Sequence, residues 1–569
     1  MNTQSLTHNK TPAMQNHSWR FGHLSAAELL PLLQQHLCIQ DPTANWQLAW
    51  LNNNGTPIIG LLPKVSWQVY LEPDAPAFYQ VIQKYRDGFT ANRSTRQTYE
   101  TWQQELIRYS RDCENYPLSN PTTSKQDLPQ YHHGLIGFIG YDIAAAQLSP
   151  NAQIQAANQP LAVLGHYDIY LTLTTCTDSH ANANDINSSN SLDNSKIQSH
   201  NTTTHTIWSL IIQPTTHEDD TLDHKIFAQL VSYFDALDLT ISQDIAVSHE
   251  SKKPLVPLLL AAQWSKSDYQ QAFLQTQRYL QQGDCYQINL TQAWQGEIIA
   301  STSSKKPSQA TLSLIDYLPT LQHNTQAPFA GYMSVDTTNS EQKKSLNVER
   351  FELLSCSPEL FFTFTKDAET DTHYITTKPI KGTMPRGSNT EIDEALKQQL
   401  VDSDKDRSEN VMIVDLLRND LGKYAQIGSV KVPQLFAIES FSNVHHMVST
   451  ITAELKTASH PLQVLFGSLP AGSITGTPKK RAVEIIAELE SSGRGAYCGT
   501  MGYMNFEGSG QWNVLIRTLQ ASHLADGSQA VNLWAGGGIT VASACESEYQ
   551  ECLDKVGNLL AALAQADSL

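Results

Sequence analysis

SDYQQAFLQTQRYLQQGDCYQINLTQAW, Ser267 to Trp294, changes its period part-way along. As far as Asp284 the spacing is helical, with Tyr269, Phe273, Thr276 and Leu280 on one face, Asp268 near the positive start and Gly283 as a stop. From Cys285 the period falls to two, which sends alternate side chains to opposite faces of a strand. Further strands are predicted over Glu352–Thr365 and Asn513–Gln520, and further helices over Lys405–Leu421, Lys479–Glu490 and Glu546–Ala564. These segments follow no strict strand-helix-strand rhythm, so the fold class is α+β and not a doubly wound parallel sheet.

The texture differs on the two sides of this region. Residues 1–260 contain the polar tract 176–206, Cys176 to Thr206, rich in Asn, Ser, Thr and Asp and too polar to bury a core. It separates two strand-like runs, HYDIYLTLTT and TIWSLIIQ, and is expected to be a disordered insertion in a β-hairpin. Residues 261–569 are dense in ordered segments and are expected to be the catalytic region.

The chain has 569 residues, 40% hydrophobic and 17% charged, which suits a globular protein with a large core. Its net charge of −18 argues against nucleic acid or an anionic membrane surface as a partner. An anionic ligand would therefore need local positive charge or a metal ion. The N-terminus lacks a signal-peptide core, and the most apolar run, PLVPLLLAA from Pro254, is too short to span a bilayer. Eight cysteines without a C-x-x-C pair suggest neither a disulfide framework nor a zinc site. The expected compartment is the cytoplasm.

Four stretches could carry chemistry. In KDRSENVMIVDLLRNDLGKY, Lys405 to Tyr424, a helix would put Asp406, Glu409 and Ile413 on one face, although acids at a helix start also complement the dipole. In AGGGITVASACESEYQECLDKVGNLL, Ala535 to Leu560, Gly536, Gly537 and Gly538 could turn backbone N–H groups toward an anion, and a helix aligns Glu548, Glu551 and Lys555. A glycine turn before an amphipathic surface helix fits that pattern as well. LPAGSITGTPKK offers the Ser473 hydroxyl ahead of a helix, with Tyr497 beyond it, and NVLIRTLQ puts Arg517 in an apolar strand where it needs a carboxylate partner, structural or ligand. TTKPIKGTMPRG, Thr376 to Gly387, holds Lys381 in a Pro- and Gly-punctuated segment, where most lysines face water. His446 in SNVHHMVSTI is compatible with a purely structural role.

In this order, GDCYQINLTQ, SCSPELFF, PIKGTMPRG, DRSENVMIVDLLRNDLG, LPAGSITGTPKKRAVEII, RGAYCGTMGY, IRT and AGGGI with ESEYQE resemble the signatures of the chorismate-utilising enzymes. The resemblance covers Trp264 onward, with a weaker match in LIGFIGYD and the N-terminal half. It implies two large, mainly antiparallel β-sheets packed as a sandwich with helices outside. It also implies that Glu409 and Glu551 hold Mg²⁺, with Asp406 and Glu548 behind them, a set of hard oxygen donors suited to that ion. Tyr497, Arg517, Lys555 and the Gly536–Gly538 amides would hold substrate carboxylates. His446, Ser473 and Glu359 would line the reacting ring, with Glu359 protonating the departing 4-hydroxyl.

Within the family, anthranilate synthase large subunits read Pro-Ile-Ala-Gly-Thr where this chain has Lys381. The aminodeoxychorismate synthase component I subclass reads Pro-Ile-Lys-Gly-Thr, as here. That subclass implies amination of chorismate at C4 to 4-amino-4-deoxychorismate, for 4-aminobenzoate and folate synthesis, through a covalent lysine intermediate. Ammonia would come from a separate glutaminase subunit, since no glutaminase domain or nucleophile-elbow cysteine is evident. The alternatives are an anthranilate synthase component I and a non-catalytic binding paralogue. The chain departs from the family at Ser473, commonly Thr, at Gln511, often Asp, and at Ala542–Cys545, often Asp-Ser-Asp-Pro. LAWLNNNG replaces the usual tryptophan-site sequence and leaves tryptophan binding in doubt.

Overall fold

A computed structural model describes residues 16–565 except 43, 45, 73–74, 76, 115–128, 157–158, 178–203, 214–219, 248–255, 299–311, 338–347 and 442–443. The change of period at Asp284 marks a real junction. Lys266–Gln281 is a helix whose Ser265 and Asp268 form a reciprocal capping box, and Tyr269, Phe273, Thr276 and Leu280 are buried. Gln287–Ile298 is a strand, paired along its length with Gln529–Ile539. The predicted helices are present as Asp404–Gly422, Lys479–Leu489 and Cys545–Ala564.

The described strands form two twelve-stranded sheets. Sheet I contains Ala49–Leu51, Gly331–Asp336, Val348–Ser355, Thr518–Leu524, Gln529–Ile539 and Gln287–Ile298 as successive neighbours. Sheet II runs from Ile380–Pro385 through Val444–Glu454, Thr372–Thr377, Leu360–Asp367, Gly510–Val514 and Thr500–Asn505 to Gly134–Ile139 and beyond. Between the sheets Leu51, Phe138, Met333, Phe351, Leu353 and Met501 form one apolar layer. Helices Ala26–Gln40, Leu318–Thr325 and Cys545–Ala564 cover the outside of sheet I, while Tyr99–Glu114, Asp404–Gly422 and Pro461–Ser468 cover sheet II. This is the expected α+β sandwich with helices outside.

Two expectations are corrected. The strand predicted over Glu352–Thr365 is two strands, Val348–Ser355 in sheet I and Leu360–Asp367 in sheet II, with Pro358 and Glu359 in the crossing between them. The strand predicted over Asn513–Gln520 is likewise Gly510–Val514 in sheet II and Thr518–Leu524 in sheet I. Arg517 therefore lies in a crossing, with φ of 51°, and not within a strand. The runs are interrupted at both crossings, by Ser357-Pro358-Glu359 and by Arg517-Thr518, and Pro358 is a local break signal that the single-strand reading passed over.

The change of texture near residue 260 is not a structural boundary. Ala49–Leu51 pairs with Gly331–Asp336, and Gly134–Ile139 with Thr500–Asn505, so each sheet is built from both sides of it. The predicted hairpin is present as Ile169–Thr177 paired with Thr204–Ile212. Of the tract expected to be disordered, residues 176–177 and 204–206 are instead paired strand residues, and 178–203 lies outside the described residues. Among the described residues, no helix is long and apolar enough to cross a membrane.

Candidate active site

The two crossings bring Glu359 and Arg517 to one end of the sandwich, because they are hydrogen-bonded to each other. The Cys356 amide donates to the Arg517 carbonyl and the Val514 amide to the Glu359 carbonyl, each at 3.0 Å. Around them lie the strand bearing Lys381, the strand bearing His446 and the ends of helices Asp404–Gly422 and Cys545–Ala564. A cavity of about 130 Å³ is lined by Pro358, Phe441, His446, Arg517 and Lys555 among others.

Three glutamates meet where the two helices approach, Glu548 buried, Glu409 mostly buried and Glu551 exposed. Glu409 Oε2 is 3.7 Å from Lys381 Nζ, and its Oε1 is 3.9 Å from Lys405 Nζ. That Oε1 is buried with no hydrogen-bond partner among the described residues. Burial raises the Glu409 pKa; Lys381 and Lys405 oppose this, and the charges of Glu548 and Glu551 add to it. Glu548 accepts from the Ser543 hydroxyl at 2.7 Å and from Lys405 at 3.2 Å. Burial also works against the charge of Glu551, but Lys555, 2.8 Å away, brings its carboxyl below the ordinary value.

Asp406 stands slightly apart, against the turn that carries Lys381. A Cβ on Gly382 would lie 2.9 Å from Asp406 Cγ, and its φ of +85° independently calls for glycine. The missing side chain lets the lysine segment approach the helix. Gly472 does the same for the Ser473 turn, where a Cβ would lie 2.1 Å from Leu416 Cδ2.

No ready-made group of three His, Cys, Asp or Glu ligands occurs among the described residues. The donors nevertheless suit Mg²⁺, which commonly takes one or two protein carboxylates and keeps other positions for water and substrate. The unpartnered Glu409 oxygen and Glu551, on separate helices, are the residues that would hold it.

Glu359 is only 8% exposed. Burial pushes its pKa up to about 7, against the pull of Lys381, Lys555, the Ser473 hydroxyl and Arg517. Burial also lowers the Arg517 pKa, and among the described residues no carboxylate lies within ion-pair distance of its guanidinium. Its charge is thus available to a ligand. Thr383 Oγ1 is 2.8 Å from His446 Nδ1, and burial together with Arg517 brings the imidazole down to about 4, leaving it neutral near pH 7. Tyr497 is buried with its ring stacked on Trp534, centroids 6.1 Å apart.

The glycine triplet differs from expectation. Gly536, Gly537 and Gly538 lie in a strand, paired with Thr291, Leu290 and Asn289. Successive amides in a strand point to opposite edges, so the three cannot converge on one anion. Their smallness serves close approach: a Cβ would lie 2.1 Å from the Leu290 carbonyl at Gly536 and 3.2 Å from Glu548 Oε2 at Gly537. Lys555 Nζ donates to the Gly536 carbonyl at 2.9 Å.

The remaining departures are accounted for locally. Gln511 lines a separate cavity of about 20 Å³ with Leu51, Asn53 and Asn513, room for about one water. Ala544 is the N-cap of helix Cys545–Ala564 and provides no side-chain cap.

Sequence reading missed Lys405 and the pair Arg494 and Glu490. Arg494 is fully buried, bonded to Glu490 at 2.6 Å, to the Asn289 carbonyl at 2.7 Å and to the Ile474 carbonyl at 3.2 Å. It joins the Ser473 turn to the strand opposite Gly538. In sequence Arg494 follows the Ser491-Ser492-Gly493 break after the helix and looks like a loop residue, so its burial had no local signal.

A paired-sheet sandwich with carboxylates on two helices, a buried acid and an arginine that has no carboxylate within ion-pair distance among the described residues makes a site suited to an anion. Residues 74–561 match the chorismate binding enzyme family, and the chain belongs to that family. Aminodeoxychorismate synthase component 1 of Escherichia coli (strain K12) is 37% identical over 353 residues, covering 62% of this chain and 68% of that protein. Anthranilate synthase component 1 of Acetivibrio thermocellus is 33% identical over 324 residues, covering 57% and 58%. Among solved structures, anthranilate synthase component I from Streptococcus pneumoniae TIGR4 has a TM-score of 0.59 at 19% identity, covering 88% of this chain and 91% of that one. The menaquinone-specific isochorismate synthase from Escherichia coli has a TM-score of 0.54 at 15% identity, covering 98% and 95%. At those identities the structural likenesses bear on the fold alone.

Proposed function

We propose that this protein aminates chorismate at C4 and that Lys381 is the nucleophile. The observation that carries the reading is the placement of Lys381. Its amine stands 3.7 Å from Glu409, and its strand pairs Thr383 with His446. Relatives at 37–41% identity that are named aminodeoxychorismate synthase component 1 support the same reading.

In the proposed sequence, the Lys381 amine adds at C2 of chorismate, the ring double bonds shift, and the C4–O bond breaks. Protonated Glu359 supplies the proton with which the hydroxyl leaves as water. Ammonia then forms a bond to C4, the double bonds shift back, and the C2–N bond breaks to free Lys381. The proton lost by the added ammonia returns to Glu359. The net change exchanges hydroxyl for amine and retains the enolpyruvyl group. Arg517 binds a substrate carboxylate, Tyr497 walls the ring, and neutral His446 orients it without adding charge. Mg²⁺ held by Glu409 and Glu551 would neutralise a substrate carboxylate that the acidic protein otherwise repels.

The ammonia is proposed to come from a separate glutaminase chain, and the product to feed 4-aminobenzoate and folate synthesis. The test is mass spectrometry of the products from chorismate, Mg²⁺ and ammonium. A 4-amino-4-deoxychorismate product, a chorismate-derived adduct on Lys381, and loss of amination in Lys381→Ala that ammonium does not rescue are expected. Anthranilate formed without an added lyase would overturn the assignment.

A further inference from the structure

Lys405 has no part in the scheme above, yet it bridges the two helices that carry the carboxylates. Its Nζ lies 3.2 Å from Glu548 Oε1 on one helix and 3.9 Å from Glu409 Oε1 on the other. The Glu409 oxygen it approaches is the one with no hydrogen-bond partner, so Lys405 neutralises that oxygen without bonding it. The exposures are unequal: the Lys405 side chain is 50% exposed, against 12% for Glu409 and 2% for Glu548. The lysine can withdraw into water along its flexible stem, whereas the Glu409 and Glu548 carboxylates lie on the buried side of the cluster.

The other two lysines of the cluster differ in kind. Lys381 meets the opposite oxygen of Glu409, and Lys555 is tied to Glu551 and to the Gly536 carbonyl. Lys405 alone of the three joins the helices from the solvent side. Three glutamates this close repel one another when ionised, and each needs a counter-charge before any metal arrives.

We propose that Lys405 is a tethered cation that occupies the carboxylate cluster in the metal-free protein, and that a divalent cation must displace it to bind. Lys405 thereby sets the metal affinity. An ammonium and a dication compete for the same oxygens, so removing the ammonium strengthens metal binding. This rests on the reading of Glu409 and Glu551 as the residues that hold the metal. A merely structural salt bridge would behave differently: its removal would leave metal affinity unchanged or weaken it.

The test is Mn²⁺ binding to the full chain without chorismate, followed by the loss of the free-Mn²⁺ electron paramagnetic resonance signal. Lys405→Met and Lys405→Gln are expected to bind Mn²⁺ roughly tenfold more tightly than the parent, and Lys405→Arg to stay within about threefold of it. Glu409→Gln is expected to weaken binding. Unchanged or weaker affinity in both neutral variants, with normal circular dichroism and with weakening in Glu409→Gln, would overturn the role of Lys405 and leave the metal reading standing. Absence of Mn²⁺ binding by the parent, or parent-like binding in Glu409→Gln, would overturn both.

Discussion

Glu359 and Arg517 stand on two chain crossings that are hydrogen-bonded to each other, the Glu359 carbonyl to the Val514 amide and the Arg517 carbonyl to the Cys356 amide. The Ser357 hydroxyl adds a third tie, donating to the Val514 carbonyl at 2.6 Å. The acid and the cation are thus held by sheet structure on both sides, which limits the reorganisation needed during reaction.

Glu359 makes activity and stability depend on pH in a defined direction. Its folded pKa, about 7, lies above the ordinary value of 4.5. The folded protein keeps a proton that the unfolded chain releases, so stability falls as pH rises through that window, by roughly 3 kcal/mol. Urea denaturation of Glu359→Gln should lack this decline. Amination by the parent should fall above about pH 7, and the variant should lose that limb with a drop of about 10²–10⁴-fold in kcat.

Gly382→Ala should disturb the nucleophile without touching it. The added methyl meets Asp406 Cγ at 2.9 Å and Leu400 Cδ1 at 2.7 Å, at a φ of +85°. A loss of about 1–3 kcal/mol in urea denaturation is expected, together with slower formation of the Lys381 adduct in mass spectra.

Glu409→Gln should separate metal binding from folding. Burial, reinforced by two neighbouring glutamates, already opposes its charge, so the metal-free variant should melt no lower than the parent. Mg²⁺ should raise the melting temperature of the parent and not that of the variant, and a chelator should abolish turnover of the parent.

Arg494→Met should be severe despite lying outside the cavity lining. It would leave Glu490 charged and buried, and would release the Ile474 and Asn289 carbonyls. A cost of about 3–5 kcal/mol in urea denaturation is expected. Arg494→Lys should recover little, because one ammonium cannot reach all three acceptors in the directions of a guanidinium.

Local pattern was enough for the helices. Apolar spacing and the Ser265–Asp268 box act within a few residues, so Lys266–Gln281 and Asp404–Gly422 were legible before any tertiary contact is considered. Ordered motifs brought Lys381, Glu409, Arg517 and Glu551 forward as candidates through family resemblance. The same local reading drew single strands through Glu359 and Arg517, although Pro358 marked the first crossing in the sequence.

Long-range packing settled the rest. Lys405 and Glu548 are 143 residues apart in the chain and 3.2 Å apart in space. The burial of Arg494, the strand conformation of Gly536–Gly538 and, among the described residues, the lack of a carboxylate within ion-pair distance of Arg517 likewise depend on which segments come together. Period and capping are set by neighbours along the chain, whereas desolvation and charge pairing are set by neighbours across it. Local sequence therefore specified the helices and brought the candidate residues forward, and the folded sheets decided where the strands cross and the charge environment of the site.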